Sequence, residues 1–393
     1  MPMLGEGTRG HRWRLMRELM DRENVDALAF TTGAFFQFAT NFSTDVRPWE
    51  RPIVCVVPRS GEPFVILNEL STHHWRFRTE AQQLWVADAS FYAEHPSVAR
   101  NLPLIADWSN LLAEKLTKAG LAKARIGIEG TLPAAVRQWL PQLDLVELSS
   151  KCRALRFVKH AEELDVMRAA SSLADWTQDR YRENIRSGRL VQELDASMTA
   201  LACAEAALRF PGEELEMTCW TLSGPASAAP HGDGRSVGAR IERGHVLVNI
   251  VEPRLNGLVI ENERTWICGK PSERQRQLFE AAHNATEAAS EAAITGNPVC
   301  AIDEAARKVF EQAGLAHLIR HRTGHGMGLE CHEYPEDMAF NTRPLMAGEV
   351  YSAEPGIYEW GLGGFRHDDT VVVGTPPEIL TKSSKDLASQ TII

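Results

Sequence analysis

This 393-residue chain has only seven cysteines, an odd number scattered from Cys55 to Cys331 with no C-x-x-C pair among them. That argues against a disulfide framework and against a structural zinc site, and the expectation is that they are small buried hydrophobes. Long apolar runs are missing as well. None approaches the roughly 20 residues that span a bilayer, and the opening MPMLGEGTRGHRWRL lacks the apolar core of a secretory signal. The expected location is the cytoplasm, with no membrane partner. Clustered positive charge is also lacking: the formal net charge is −10, whereas a nucleic-acid binder needs grouped lysines and arginines. Small or cationic partners suit such a chain better. What is present, 44% apolar and 24% charged residues without a polar low-complexity tract, describes a soluble globular protein.

The length is generous for a single core, so two domains are expected, 1–155 and 156–393, with the boundary near Leu155 to Lys159. The first half alternates helical spacing (His11 to Glu23, Trp108 to Ala119) with short apolar strands (Val25 to Phe30, Ile53 to Val57, Phe64 to Leu67, Ala124 to Ile128). Its one chemically suggestive stretch is the loop Asp45 to Pro52, with two arginines and a tryptophan; such a loop is commonly a solvated surface. Helices follow the boundary, and then His245 to Lys270 reads as a hairpin. Val246, Val248 and Ile250 alternate, Asn256-Gly257 is a turn dipeptide, and Leu258 to Ile267 resumes the strand. Side chains two apart share a face, so Glu261 and Glu263 project together while Asn262 and Arg264 point the other way.

Further acids and histidines stand at strand ends and in glycine-rich loops, where sites form. His231 lies in Pro230 to Gly234. His325 sits among glycines in HRTGHGMG, with His332 seven residues on. Glu354 ends the strand-like run Val350 to Ala353, and Arg366, His367, Asp368 and Asp369 precede the strand Thr370 to Val373. Glycine lets a backbone approach a ligand closely, and imidazole exchanges protons near neutral pH.

These pieces, LRFVKHAEELDVMRAA, SGPASAAPHGDG, NGLVIENERT, TGHGMGLECHE, AEPGIY and GGFRHDDTVVV in that order, resemble the creatinase/prolidase superfamily, which has the pita-bread fold. The resemblance implies an α/β (α+β) chain: an N-terminal creatinase/prolidase-type domain and a C-terminal catalytic domain whose curved antiparallel sheet is covered by helices. Its peptidase members hold two divalent metals with Asp, Asp, His, Glu and Glu. By motif, the last four positions fall on Glu261, His325, Glu354 and Asp368. The first, eleven residues before Glu261, falls on Ile250, which cannot ligate.

Glu263-Arg264-Thr265 resembles the metal-free creatinase branch instead. On that resemblance the expectation is a homodimeric hydrolase cleaving a C–N bond of a small cationic compound, guanidino or cyclic amidine such as ectoine. His231 would be the acid/base, assisted by His325 and His332, and Glu263 and Glu354 would grip the cation. Arg51 from the partner subunit, Glu261, Glu336, Arg366 and Asp368 complete the expected substrate pocket; Glu336 reverses the charge of creatinase's second carboxylate-binding arginine. No cofactor is expected on this reading, or else one divalent metal (Mn, Fe or Zn) on Glu261, His325, Glu354 and Asp368. The alternatives are a metal-dependent Xaa-Pro peptidase, a dimethylsulfoniopropionate lyase using iron, and a non-catalytic binding module.

Overall fold

The structure is a computed structural model that describes residues 4–44, 46–94, 104–132, 134–232 and 238–393. The chain divides into two compact units, Leu4–Arg156 and Phe157–Ile393.

The N-terminal unit is built on six strands, β1 Ala27–Phe30, β2 Val54–Pro58, β3 Phe64–Asn68, β4 Asp88–Tyr92, β5 Arg125–Glu129 and β6 Asp144–Glu147, in the order β4-β3-β2-β1-β5-β6. Only β2 runs against its neighbours. Helices α1 Glu6–Glu23, α2 Gly33–Thr40, α3 Thr72–Glu80, α4 Leu104–Lys118, α5 Val136–Trp139 and α6 Ser149–Cys152 accompany them. Trp108, Leu112 and Leu116, at helical spacing on α4, pack on Val54, Val56 and Ile66, at strand spacing on β2 and β3. Arg51, expected to reach a substrate in the partner's site, is paired within its own unit. Arg51 gives Nε and Nη2 to the Glu94 carboxylate at 2.9 and 2.6 Å. Asp45 lies outside the described residues.

In the C-terminal unit, α7 Ala161–Asn184, α8 Val191–Arg209, α9 Glu273–Ala292 and α10 Cys300–Gln312 accompany a sheet of β7 Leu215–Ser223, β8 Val246–Leu255, β9 Leu258–Val259 and β10 Asn262–Cys268. The edge strand β16 Thr391–Ile392 gives the order β16-β10-β8-β7, with β9 on β8. A second sheet, β11 Val350–Ala353, β14 Asp369–Val372 and β15 Glu378–Ile379, and the pair β12 Gly356–Glu359 and β13 Gly363–Arg366 complete it. A capping box starts α9: Ser272 N donates to Gln275 Oε1 at 2.8 Å and Gln275 N to Ser272 Oγ at 3.2 Å. Its buried face is mostly alanine (Ala281, Ala282, Ala285, Ala289), with Leu278 and Phe279 as the large residues in a core shared with Val246, Ile267, Tyr351, Ile357 and Phe365.

The hairpin forms where expected. Asn256 and Gly257 take φ of 49° and 82°, the left-handed pair that a two-residue hairpin turn requires, and Glu263 pairs with Ile250 across the ladder. The alternation holds too. Asn262 Nδ2 bonds Asp175 at 2.9 Å, and Arg264 reaches Ser383 and Asp369, on the face away from the two acids.

One half-buried acid supports this sheet from behind. Asp195 on α8 accepts from Tyr181 Oη and from Thr221 N, both at 3.0 Å, and from Thr221 Oγ1, which in turn accepts from Asn249 at 2.7 Å. Burial pushes its carboxyl up to about 6 despite those bonds. A carboxyl raised above its ordinary value of about 4 binds its proton more tightly folded than unfolded, so its contribution to stability falls as pH rises between those values. The stability advantage of the wild type over Asp195→Asn should therefore shrink from pH 4 to pH 6 in urea unfolding; an advantage constant across that range would contradict the assignment.

Candidate active site

Glu261 directly precedes β10, and a bridge between Glu263 and Asp368 ties that strand to the segment between β13 and β14. His325 is held by the crossing of its glycine-rich segment over β11. A Cβ on Gly324 would collide with the Ser352 carbonyl and one on Gly326 with that of Tyr334, so glycine at both is what permits the approach.

Four side chains converge there. His325 Nε2 stands 3.4 Å from Glu354 Oε1 and 3.6 Å from Glu261 Oε2, yet has no hydrogen-bond partner. Its Nδ1 faces the Gly326 carbonyl at 3.1 Å, which makes Nδ1 the proton-bearing nitrogen and turns Nε2 toward the acids. Asp368 Oδ1 accepts from Ser352 Oγ at 2.9 Å and Ala353 N at 3.0 Å, while buried Oδ2 has no partner. Donors around a tetrahedral ion bonded at about 2.0–2.1 Å lie about 3.4 Å apart. The spacing at His325 is thus that of a coordination edge rather than a hydrogen bond, and the two orphaned atoms are nitrogen and oxygen donors a divalent ion accepts. Glu261, His325, Glu354 and Asp368 are all donors that a divalent ion takes, although among the described residues the group whose ligand atoms all lie within 4.8 Å of one another is Glu252, Glu261 and Cys331.

At the peptidases' first metal position Ile250 packs on Leu222 and Val248 and offers no donor, and Asn249 spends its amide on Thr221. Two unexpected groups stand close by. Glu252, two residues beyond Ile250 on the same strand, and Cys331 each bring a ligand atom within 4.8 Å of one on Glu261 and of each other. The period-two rule flags Glu252, since it shares a face with Ile250. Nothing in the cysteine spacing flags Cys331.

Glu263 is not presented to a ligand. Both of its oxygens are taken by Arg366, Nη2 at 2.6 Å and Nε closer still, and Arg366 Nη1 also donates to Tyr358 Oη at 3.1 Å. The expected paired grip of Glu263 and Glu354 on a substrate cation is therefore corrected: an internal guanidinium already fills half of it. Beyond Glu354 and Arg366 opens a cavity of about 450 Å³, with His231, Arg320, Arg322 and His332 on its walls. His332 stacks on His325 with ring centroids 3.7 Å apart. Glu336 lies on an exposed turn outside this lining, and Asp233 and Gly234 fall outside the described residues.

The electrostatics follow from crowding. Burial and the neighbouring Glu261, Glu354 and Glu263 hold the Asp368 carboxyl well above its usual range. Burial and Glu261 push Glu252 up to about 7. Burial disfavours charge on His325, but its contacts with Glu261 and Glu354 outweigh this and raise it. Burial, with His325 beside it, lowers His332. A cation is what such a concentration of buried carboxylates lacks. His367 plays no part: fully buried edge-on to Phe279 at 4.9 Å, it is driven neutral by burial.

A family model described as metallopeptidase family M24 matches residues 165–375. The chain is 32% identical over 267 residues to a Xaa-Pro dipeptidase of Pyrococcus furiosus, spanning 67% of this chain and 75% of that one. With a Xaa-Pro dipeptidase of Lactobacillus delbrueckii it shares 25% over 382 residues, 95% and 97% of the two. The crystal structure of Dipeptidase PepE from Mycobacterium ulcerans matches with a TM-score of 0.78 at 26% identity, covering 99% of each chain.

Proposed function

The chain belongs to metallopeptidase family M24, in the creatinase/prolidase superfamily, and on that premise we propose that it hydrolyses dipeptides, Xaa-Pro dipeptides foremost, at a metal centre held by Glu261, His325, Glu354 and Asp368. The names of its relatives support the peptidase alternative over guanidino hydrolysis. The observation that carries the reading is the His325 contact set, at coordination-edge spacing from two carboxylates with Nε2 and Asp368 Oδ2 left orphaned.

A divalent ion bound by these four groups supplies the Lewis acidity that peptide hydrolysis needs near neutral pH. The chain's own residues do the rest. Arg320 and Arg322 put positive charge on the cavity wall, which suits the free carboxylate of a dipeptide and repels a guanidinium. His332, kept neutral by burial beside His325, can accept a proton during attack, and His231, also on the cavity wall, can pass one to the leaving amine. Arg366 keeps Glu263 neutralised, leaving Glu354 as the acid shared between the cavity and the metal set.

A creatinase-like, metal-free reaction is the second reading, favoured by Ile250 at a ligand position. A turnover screen separates them. Xaa-Pro dipeptides should be cleaved, chelator should abolish that activity, and manganese, zinc or cobalt should restore it. Chelator-resistant hydrolysis of creatine or another guanidino acid, with dipeptides untouched, would reverse the order.

A further inference from the structure

We propose that this chain carries a second metal position that contains sulfur, formed by Glu252, Glu261 and Cys331, and that it takes a thiophilic divalent cation such as zinc. It rests on the proposed centre only through the shared Glu261.

The three ligand atoms lie within 4.8 Å of one another, and the Cys331 thiol donates to Glu261 Oε2 at 3.6 Å. An ion bonded to sulfur at about 2.3 Å and to oxygen at about 2.0 Å in tetrahedral geometry separates those donors by about 3.5 Å, so that edge is already formed. Replacing the thiol proton, released to solvent, by the ion keeps the spacing. His325 Nε2, buried and without a hydrogen-bond partner, faces at 3.6 Å the same Glu261 Oε2 that the Cys331 thiol meets, so the shared oxygen already stands between a nitrogen and a sulfur donor. Glu252 brings a carboxylate oxygen within 4.8 Å of both the Glu261 oxygen and the Cys331 sulfur.

The position compensates for Ile250. A carboxylate absent at 250 is regained two residues along on the same face, and the longer Glu261 reaches further than an aspartate would. Thiolate in the donor set shifts preference from manganese toward zinc and cobalt. A soft, asymmetric second position next to a His/carboxylate one would let the chain hold two different metals.

Cobalt(II) titration of the full chain, read by near-ultraviolet absorption and elemental analysis, tests this. The wild type should take up a second equivalent accompanied by a thiolate-to-cobalt charge-transfer band. Cys331→Ser should lose the band and that equivalent while keeping the first, and Glu252→Gln should weaken the same equivalent at least tenfold; circular dichroism checks that both variants fold. Glu354→Gln should do the converse, losing the first equivalent and retaining the band. One equivalent without the band, alongside chelator-sensitive dipeptidase activity, overturns the sulfur position and leaves the proposed function standing. No cobalt bound at all overturns both, and the band persisting in Cys331→Ser overturns the assignment of the ligand.

Discussion

Replacing His325 by alanine is expected to reduce dipeptide hydrolysis by at least about a hundredfold, since loss of groups merely hydrogen-bonded to metal ligands already costs about 10–100-fold, and His325 is the only nitrogen among the four donors proposed here. The same change should lower the affinity of the first metal equivalent at least as much while leaving the fold intact. The imidazole is buried between Glu261 and Glu354, and removing it brings two carboxylates together with no group between them. Metal content, dipeptide kinetics and thermal unfolding of one preparation check the three parts together. Full activity in His325→Ala would remove the metal centre from the mechanism.

The largest expected loss of stability lies behind the site. Arg264 is fully buried and donates to the carbonyls of Glu263 at 2.8 Å, Asp368 at 2.7 Å and Ser383 at 3.1 and 3.2 Å, as well as to the Asp369 carboxylate at 3.1 Å. Methionine there matches the stem but supplies none of those donors. Removing one partner of a buried ion pair costs roughly 3–5 kcal/mol, a large share of the roughly 5–15 kcal/mol that holds a domain folded. Lys385 also pairs with Asp369 and limits the damage to that carboxylate, and the Glu263 and Asp368 carbonyls still accept from each other's backbone N–H at 3.1 and 3.4 Å, but the Ser383 carbonyl loses both of its guanidinium donors. Arg264→Met should thus lower the urea midpoint strongly and loosen Glu263 and Asp368, whose carbonyls it clamps. A midpoint near the wild-type value would mean that neighbouring donors or water take over those carbonyls.

Much of this architecture could be read from local pattern. The hairpin, its Asn-Gly turn and the opposed faces of β10 follow from a period of two, and the acids and His325 stand out through the loops and strand ends that carry them. What local pattern does not encode is pairing at a distance. Arg366 neutralises Glu263 from 103 positions away, and this removes the cation grip that a strand read alone suggests. Cys331 looks like a small core residue until the fold places it 70 positions away in sequence but 3.6 Å from Glu261. Glu252 was within reach of the alternation rule, because the face vacated by Ile250 is the face Glu252 occupies. Arg320 and Arg322 on the cavity wall are surface-like in sequence, and only their convergence gives them a common task.

The opposed faces of β10 also set a parity rule on change in this part of the chain. A length alteration of one residue between the Asn-Gly turn and Glu261 would exchange the two sides, turning Arg264 toward His325 and Arg366 and the acids into the layer that holds Asp175 and Ser383. An alteration of two would preserve sidedness and merely slide the ligands along the sheet. Natural or laboratory drift through this segment is thereby confined to substitutions and even steps.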